Sequence, residues 1–133
     1  MDISPSAHAA ALWVGLHLIL LLILSVLVVR QRRTHGVALG DGDLPQLTQA
    51  VRAFGNATEY VPAGLIAIAV LAMVGAHPLV VHATGLTLLA GRLAHAVGLA
   101  RSGGASLPRA MGIVLTWLAY IVAAVALLFN AIP

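Results

Sequence analysis

Three polar side chains stand close together in an otherwise apolar chain, within the stretch RAFGNATEYVP at residues 52–62. Arg52, Asn56 and Glu59 are spaced by four and three residues, so a helix places all three on one face. The chain is 61% hydrophobic and only 8% charged, and the residues after Pro62 are almost purely apolar. A polar stripe that leads into such a segment indicates either a contact between helices or a binding site.

The chemistry that suits this stripe is the binding of a small anionic ligand. Arginine binds carboxylates through paired N–H groups and stays charged when partly desolvated. Glutamate can accept an ammonium or an N–H group, and asparagine offers both a donor and an acceptor. Arg92, His95 and Arg109 add two cations and an imidazole further along the chain. A metal site is not predicted, because the chain has no cysteine and its histidines do not share a helical face.

Four apolar segments must position these residues. The sequence predicts four helices. The first has an apolar part from Ala9 to Val29, and the second follows the loop at 34–45 and ends at about Gly75. The third runs from Leu79 to Leu99 and the fourth from Leu107 to Phe129. Ser4–Pro5 should start the first helix and Asp43 should cap the second, with a kink at Pro62. Because a crossing needs about 20 apolar residues, we predict an all-α, integral membrane four-helix bundle that forms a single domain over residues 1–133.

The arginines set the expected orientation. They cluster in the loop between the first and second helices and around the loop between the third and fourth, at Arg30, Arg32, Arg33, Arg101 and Arg109. Both loops lie on one side of a four-span protein, so the positive-inside tendency places them in the cytoplasm and both termini outside. A nucleic-acid partner is not expected, because the arginines are dispersed through apolar sequence. This topology brings the six polar residues named above to a similar depth near the cytoplasmic surface.

Three stretches carry a family resemblance: R-x-x-x-N-x-x-E-Y-x-P at Arg52 to Pro62, GRLAHAVGLAR at Gly91 to Arg101, and RAMGIVLTW at Arg109 to Trp117. Together they resemble the MAPEG family of membrane-associated proteins in eicosanoid and glutathione metabolism, in its small bacterial branch. The resemblance implies a homotrimer of four-helix protomers in the bacterial inner membrane. It also implies that glutathione binds as co-substrate between neighbouring subunits near the cytoplasmic surface.

Individual roles follow from the same resemblance. Arg52, Asn56, Glu59 and Arg92 match glutathione ligands of the family, Tyr60 and His95 stand beside them, and Arg109 falls where a family arginine stabilises the thiolate. The implied function is a glutathione-dependent transferase or peroxidase that acts on an apolar electrophile or a lipid hydroperoxide. The chain departs from the eicosanoid enzymes at His95 and Leu99, where those enzymes carry tyrosines, which argues against an eicosanoid substrate.

Residue types alone leave other interpretations open. The polar residues can be structural instead: Arg52 or Arg92 pairing with Glu59, Asn56 and His95 joining helices, Tyr60 packing, and Arg109 setting topology. Two further function classes remain, a non-catalytic membrane trimer that at most binds a thiol or lipid, and a haem protein using His17, His82 or His95. The haem alternative is disfavoured because these histidines lie at different depths in their helices.

Overall fold

A computed structural model describes residues 3–132 and folds them into four long α-helices. These are α1 (Pro5–His35), α2 (Pro45–Met73), α3 (Pro78–Arg101) and α4 (Leu107–Ala131). Each helix is long and apolar enough to cross a membrane. The predicted all-α membrane bundle is therefore confirmed, and the three connections fall where the sequence places them.

The ends of α1 show one agreement and one extension. Ser4 accepts a hydrogen bond from the N–H of Ala7 at 3.2 Å and so caps the helix as predicted. The helix then continues past its arginines and ends at Gly36, whose φ of 68° lies in the left-handed region that glycine adopts without strain. The basic end of α1 is thus an ordered helical turn beyond the apolar span.

The start of α2 differs from the prediction that Asp43 caps it. Leu44 occupies the cap position without a side-chain hydrogen bond, and Asp43 precedes it with a φ of 55°. The carboxylate that steadies this turn belongs to Asp41, which accepts the Thr48 hydroxyl at 2.9 Å and the N–H of Asp43 at 3.3 Å. Both acidic residues stand in one short loop, and only the backbone conformation decides which side chain turns towards the helix.

Helices α2 and α3 form the centre of the bundle. Helix α1 packs against both of them on one side and α4 packs against both on the other, while the Cα atoms of α1 and α4 stay more than 8 Å apart within the described residues. The α2–α3 pair therefore has two faces at the end next to the α1–α2 and α3–α4 connections. One is shared with α4 and the other with α1.

Glycines allow the closest helix contacts, as is common between membrane helices. A Cβ atom at Gly112 of α4 would lie 2.6 Å from the carbonyl oxygen of Gly91 and 2.6 Å from the backbone nitrogen of His95, both on α3. On the other side, the Trp13 ring of α1 occupies the space that a side chain at Gly85 would need, and its indole N–H donates to Nδ1 of His82 at 3.1 Å. These contacts set how closely α4 and α1 approach α3.

We predict that Gly112→Ala separates α3 from α4 and lowers the free energy of unfolding by about 1–3 kcal/mol, because the added methyl group meets backbone atoms that cannot move aside. Gly15→Ala is the matched control, since a Cβ atom there has no neighbour within 4 Å. Thermal unfolding in detergent compares the two variants with the parent. Equal melting temperatures for both variants would contradict this packing.

Candidate functional site

A polar cleft lies between α2, α3 and the first turn of α4, near the two basic connections. Its volume is about 280 Å³, and its lining includes five of the predicted site residues, namely Arg52, Asn56, Glu59, His95 and Arg109. Between Arg52 on α2 and Arg109 on α4 the chain crosses the bundle twice, in opposite directions, and so returns to the same depth. The prediction that these residues converge on one layer is confirmed.

Helix α2 presents three of these side chains because its two faces differ in character. Ala53, Ala57 and Val61 are buried at 6%, 3% and 0% exposure and pack towards the core. Arg52 and Glu59 lie on the opposite face and are exposed, while Asn56 between them is half-buried. The helical spacing read from the sequence thus produces a polar wall on the cleft and an apolar wall behind it.

Arg92 is not among the lining residues but lies directly behind them, with only 2% of its surface exposed. All three guanidinium nitrogens donate to the protein: Nε to the Thr116 hydroxyl at 3.0 Å, Nη1 to Asn56 Oδ1 at 2.7 Å and Nη2 to the Gly112 carbonyl at 3.3 Å. The guanidinium also lies over the Tyr60 ring, 5.0 Å from its centre. These hydrogen bonds go to neutral acceptors and not to Glu59, so the structure does not show the Arg92–Glu59 pair that the sequence left open.

The contact with Arg92 determines which end of the Asn56 amide faces the cleft. Arginine can only donate hydrogen bonds, so the amide must turn its oxygen towards Arg92. The NH₂ group of Asn56 is then left for the cleft. A residue that offers a donor and an acceptor in the sequence is therefore fixed as a donor in the structure.

Tyr60 is predicted beside the ligand, but the structure places it with Arg92 behind the cleft lining. Its ring is 6.4 Å from that of Tyr120, and its backbone carbonyl accepts the Tyr120 hydroxyl. Both tyrosines are half-buried between α2 and α4. This geometry agrees with the packing interpretation of Tyr60.

Arg109 is half-buried at the start of α4 and lines the cleft. Its guanidinium donates to the carbonyl of Gly104 in the preceding loop. On the α3 side, a Cβ atom at Gly98 would lie 2.8 Å from the Arg109 backbone nitrogen, so the glycine lets this turn approach α3. The loop thus holds Arg109 at the edge of the cleft while the arginine keeps further N–H groups for a ligand.

A second, larger space adjoins the cleft on its loop side. It measures about 620 Å³, shares Arg52, Leu99 and Arg109 with the cleft, and adds Asp41 to the lining. The Thr48 hydroxyl is the main group that holds the pKa of Asp41 below its ordinary value, and the charge of Arg52 acts in the same direction. Asp41 therefore keeps its negative charge at neutral pH.

Sequence reasoning misses two parts of this arrangement. Thr116 lies in the quoted RAMGIVLTW stretch, but its role depends on the α3–α4 register that brings its hydroxyl to Arg92. The sequence indicates Asp41 only as part of a loop, although a carboxylate seven residues before a threonine at a helix start is the available signal. Within the described residues, no group of three histidine, aspartate or glutamate side chains is arranged to hold a metal ion.

The comparisons with known proteins agree with this architecture. Residues 10–129 match the sequence model of the MAPEG family. Two relatives, both called inner membrane protein YecN and found in Escherichia coli strains K12 and O6:H1, are each 43% identical over 89 residues, which is 67% of this chain and 68% of theirs. The match begins within α1, ends within α4 and includes every residue of the cleft, and on this basis the chain belongs to the MAPEG family.

Proposed function

We propose that this protein is a membrane-bound enzyme that binds glutathione in the polar cleft and either joins its thiolate to an apolar electrophile or uses it to reduce a lipid hydroperoxide. The observation that supports this most strongly is that Arg52, Asn56, Glu59, His95 and Arg109 line one cleft. The family resemblance gives four of these five residues a role in glutathione binding or activation, and His95 stands beside them. The cleft and its neighbouring space together suit an extended tripeptide.

Each charge of glutathione has a complementary group in this arrangement. One of its carboxylates suits the guanidinium group of Arg52, which can bind it bidentately. Its ammonium suits Glu59 or the ionised Asp41 of the adjoining space. The NH₂ group of Asn56 donates to a carboxylate or peptide carbonyl, and the buried charge of Arg92 behind it adds a fixed positive potential.

The chemical step needs the thiolate, since a free thiol with a pKa near 8.5 is largely protonated at neutral pH. A guanidinium beside the sulfur lowers that pKa, and Arg109 is the cation we assign to this role. In the conjugation reaction the sulfur forms a bond to an electrophilic carbon as a leaving group or π-electron pair departs. In the peroxidase reaction two glutathione molecules reduce one lipid hydroperoxide to an alcohol and water, and they leave as the disulfide.

The second substrate reaches the cleft from the bilayer, because the surrounding helices are apolar on their outer faces. We place the protein in the bacterial inner membrane, by analogy with its YecN relatives, with the cleft on the cytoplasmic side where glutathione is available. His95 and Leu99 at the cleft favour a small electrophile over an eicosanoid.

Substituting Asn56 separates ligand recognition from folding. Asn56→Asp keeps the contact with Arg92 and replaces a neutral acceptor by an anion, so we expect the melting temperature to stay the same or rise. It also replaces the donor that faces the cleft by a negative oxygen, so glutathione should bind about ten-fold more weakly or worse. Calorimetric titration in detergent measures the dissociation constant.

The matched control is Asn130→Asp, the same substitution at the far end of α4, where the side chain donates only to the carbonyl of Ala126 at 2.8 Å. Its affinity for glutathione should equal that of the parent. Unchanged affinity in Asn56→Asp would show that the Asn56 amide does not contact the ligand. Absence of glutathione binding to the parent at millimolar concentration would favour the non-catalytic alternative.

Arginine substitutions separate binding from chemistry. Arg109→Ala should lower turnover by about ten-fold, because a thiol pKa raised by one unit leaves about a tenth of the thiolate, and the loss should diminish as pH rises. Arg52→Ala should weaken glutathione binding instead, because that contact exists before and during the reaction. Turnover of a generic aromatic electrophile and thiolate absorbance across pH provide the two readouts.

Arg101→Ala is the control, because Arg101 is exposed at the end of α3 and does not line the cleft. It should match the parent in both readouts. If Arg109→Ala keeps the thiolate titration and the rate of the parent, Arg109 has no role in activation and contributes only to membrane topology.

We also propose that three protomers assemble around this site. Arg52 and Glu59 are exposed in the single chain, and the separation of α1 from α4 in the described residues leaves the α4 side of the bundle open to a second copy. Light scattering in detergent that accounts for the bound micelle should give the mass of a trimer. A folded protein that is strictly monomeric would contradict both the trimer and a site completed by a neighbouring subunit.

A further inference from the structure

A second groove lies on the opposite face of the α2–α3 pair, between these helices and α1. Its volume is about 570 Å³, and apolar side chains make up most of its lining. On α2 it is lined by Gln46, Gln49, Ala50 and Ala53, whereas the polar cleft uses Arg52, Asn56 and Glu59 of the same helix. The groove shares no lining residue with the cleft and meets the adjoining 620 Å³ space only at Gln49, so a chain in its apolar part does not touch the residues of the cleft.

The space between α1 and α3 is filled differently along their length. At their outer ends the Trp13 ring fills the space beside Gly85 and donates to His82. Towards the cytoplasmic end, half of the lining residues of α2 and α3 are alanines, at positions 50, 53, 96 and 100. Their small side chains leave room for an inserted chain between α1 and α3.

The groove changes from apolar to polar along its length. On α1 it runs from Leu20 to Gln31, twelve residues that extend over about 16 Å of helix. All three of its polar lining residues, Gln31, Gln46 and Gln49, lie at the end next to the connection between α1 and α2. The groove therefore matches an amphiphile whose tail lies along the bilayer normal and whose polar group lies at the membrane surface.

The charges around the polar end favour an anionic headgroup. Arg30 is exposed and follows the lining residue Ile23 by seven positions, which places it on the same side of α1. Its neighbour Arg32 is used differently, since it donates to the carbonyls of Val37 and Ala38. No acidic residue is among the described side chains that line the groove. A phosphate at this level can accept hydrogen bonds from the glutamine amides and pair with Arg30.

We infer that this groove is a binding site for an anionic phospholipid of the cytoplasmic leaflet, with one acyl chain between α1 and α3 and the phosphate beside Gln31, Gln46 and Arg30. The outer groove between α3 and α4 provides an internal comparison. It is of similar size, about 540 Å³, and has His77 and Asn130 at its polar end. Neither groove has an arginine in its described lining, but only the inner one has arginines, Arg30 among them, next in sequence to lining residues. If the protein bound any acyl chain, lipid would occupy both grooves. If it recognises an anionic headgroup, lipid should occupy the inner groove preferentially.

Native mass spectrometry of the delipidated protein in detergent tests this assignment. Dioleoylphosphatidylglycerol and dioleoylphosphatidylcholine carry the same chains, so their comparison isolates the headgroup. We expect one retained phosphatidylglycerol per protomer and at least about five-fold weaker retention of phosphatidylcholine, a difference comparable to the effect of one basic residue near an anionic surface. Arg30→Gln should remove most of this preference.

Two filling substitutions test the position of the chain. Ala50→Leu and Ala100→Leu place additional methyl groups in the groove and should weaken phosphatidylglycerol retention by about ten-fold. Ala126→Leu is the matched control, because Ala126 lines the outer groove, and it should leave retention unchanged. Thermal unfolding checks that each variant is folded. If a filling variant does not fold, Arg30→Gln, which changes an exposed residue, tests the lipid site instead.

Several results would overturn the inference. Equal retention of the two lipids by the parent would show that no anionic headgroup is recognised. Full retention in folded Ala50→Leu and Ala100→Leu, or an equal loss in Ala126→Leu, would place the lipid elsewhere. A change in oligomeric mass of the filling variants in lipid-free detergent, with lipid retention unchanged, would show that a neighbouring protomer occupies the groove.

Discussion

The buried guanidinium of Arg92 organises the half of the molecule that carries the α1–α2 and α3–α4 connections. It joins three helices, because it starts from α3, bonds to Asn56 on α2, and bonds to Thr116 and the Gly112 carbonyl on α4. A charge buried at this depth is costly unless each donor finds an acceptor. The acceptors here are neutral, so the positive charge is hydrogen-bonded but not cancelled, and an anion in the adjoining cleft experiences its field.

This interaction depends on close packing between α3 and α4. The Gly112 carbonyl can accept from Arg92 only because Gly91 and Gly112 have no side chains between the two helices. The contacts therefore act as a unit in which glycines set the helix distance, the helix distance brings acceptors to Arg92, and Arg92 turns the Asn56 amide. The α2–α3 pair carries this polar site on one face and the apolar groove on the other.

Much of this arrangement could be predicted from the sequence. Apolar length indicates the four helices, arginine positions indicate their common depth, and the spacing of Arg52, Asn56 and Glu59 indicates one polar face. The role of Arg92 could not be predicted, because its acceptors belong to other helices and one is a backbone carbonyl without a sequence signal. Tyr60 lies inside the recognisable motif, but its contact with Arg92 depends on how α2 packs against α3. Whether Asp41 or Asp43 forms hydrogen bonds at the start of α2 depends on the loop conformation, which the sequence does not indicate.

In the proposed mode of binding, Arg92 acts through Asn56 and does not touch the ligand. The most direct test is a structure of the protein in lipid nanodiscs with glutathione bound, at a resolution that shows side chains. We predict glutathione in the cleft, with the Asn56 amide nitrogen within hydrogen-bond distance of it and Arg92 still bonded to Asn56, Thr116 and Gly112. Glutathione bound directly to the Arg92 guanidinium, with the Asn56 contact broken, would contradict this mode of binding.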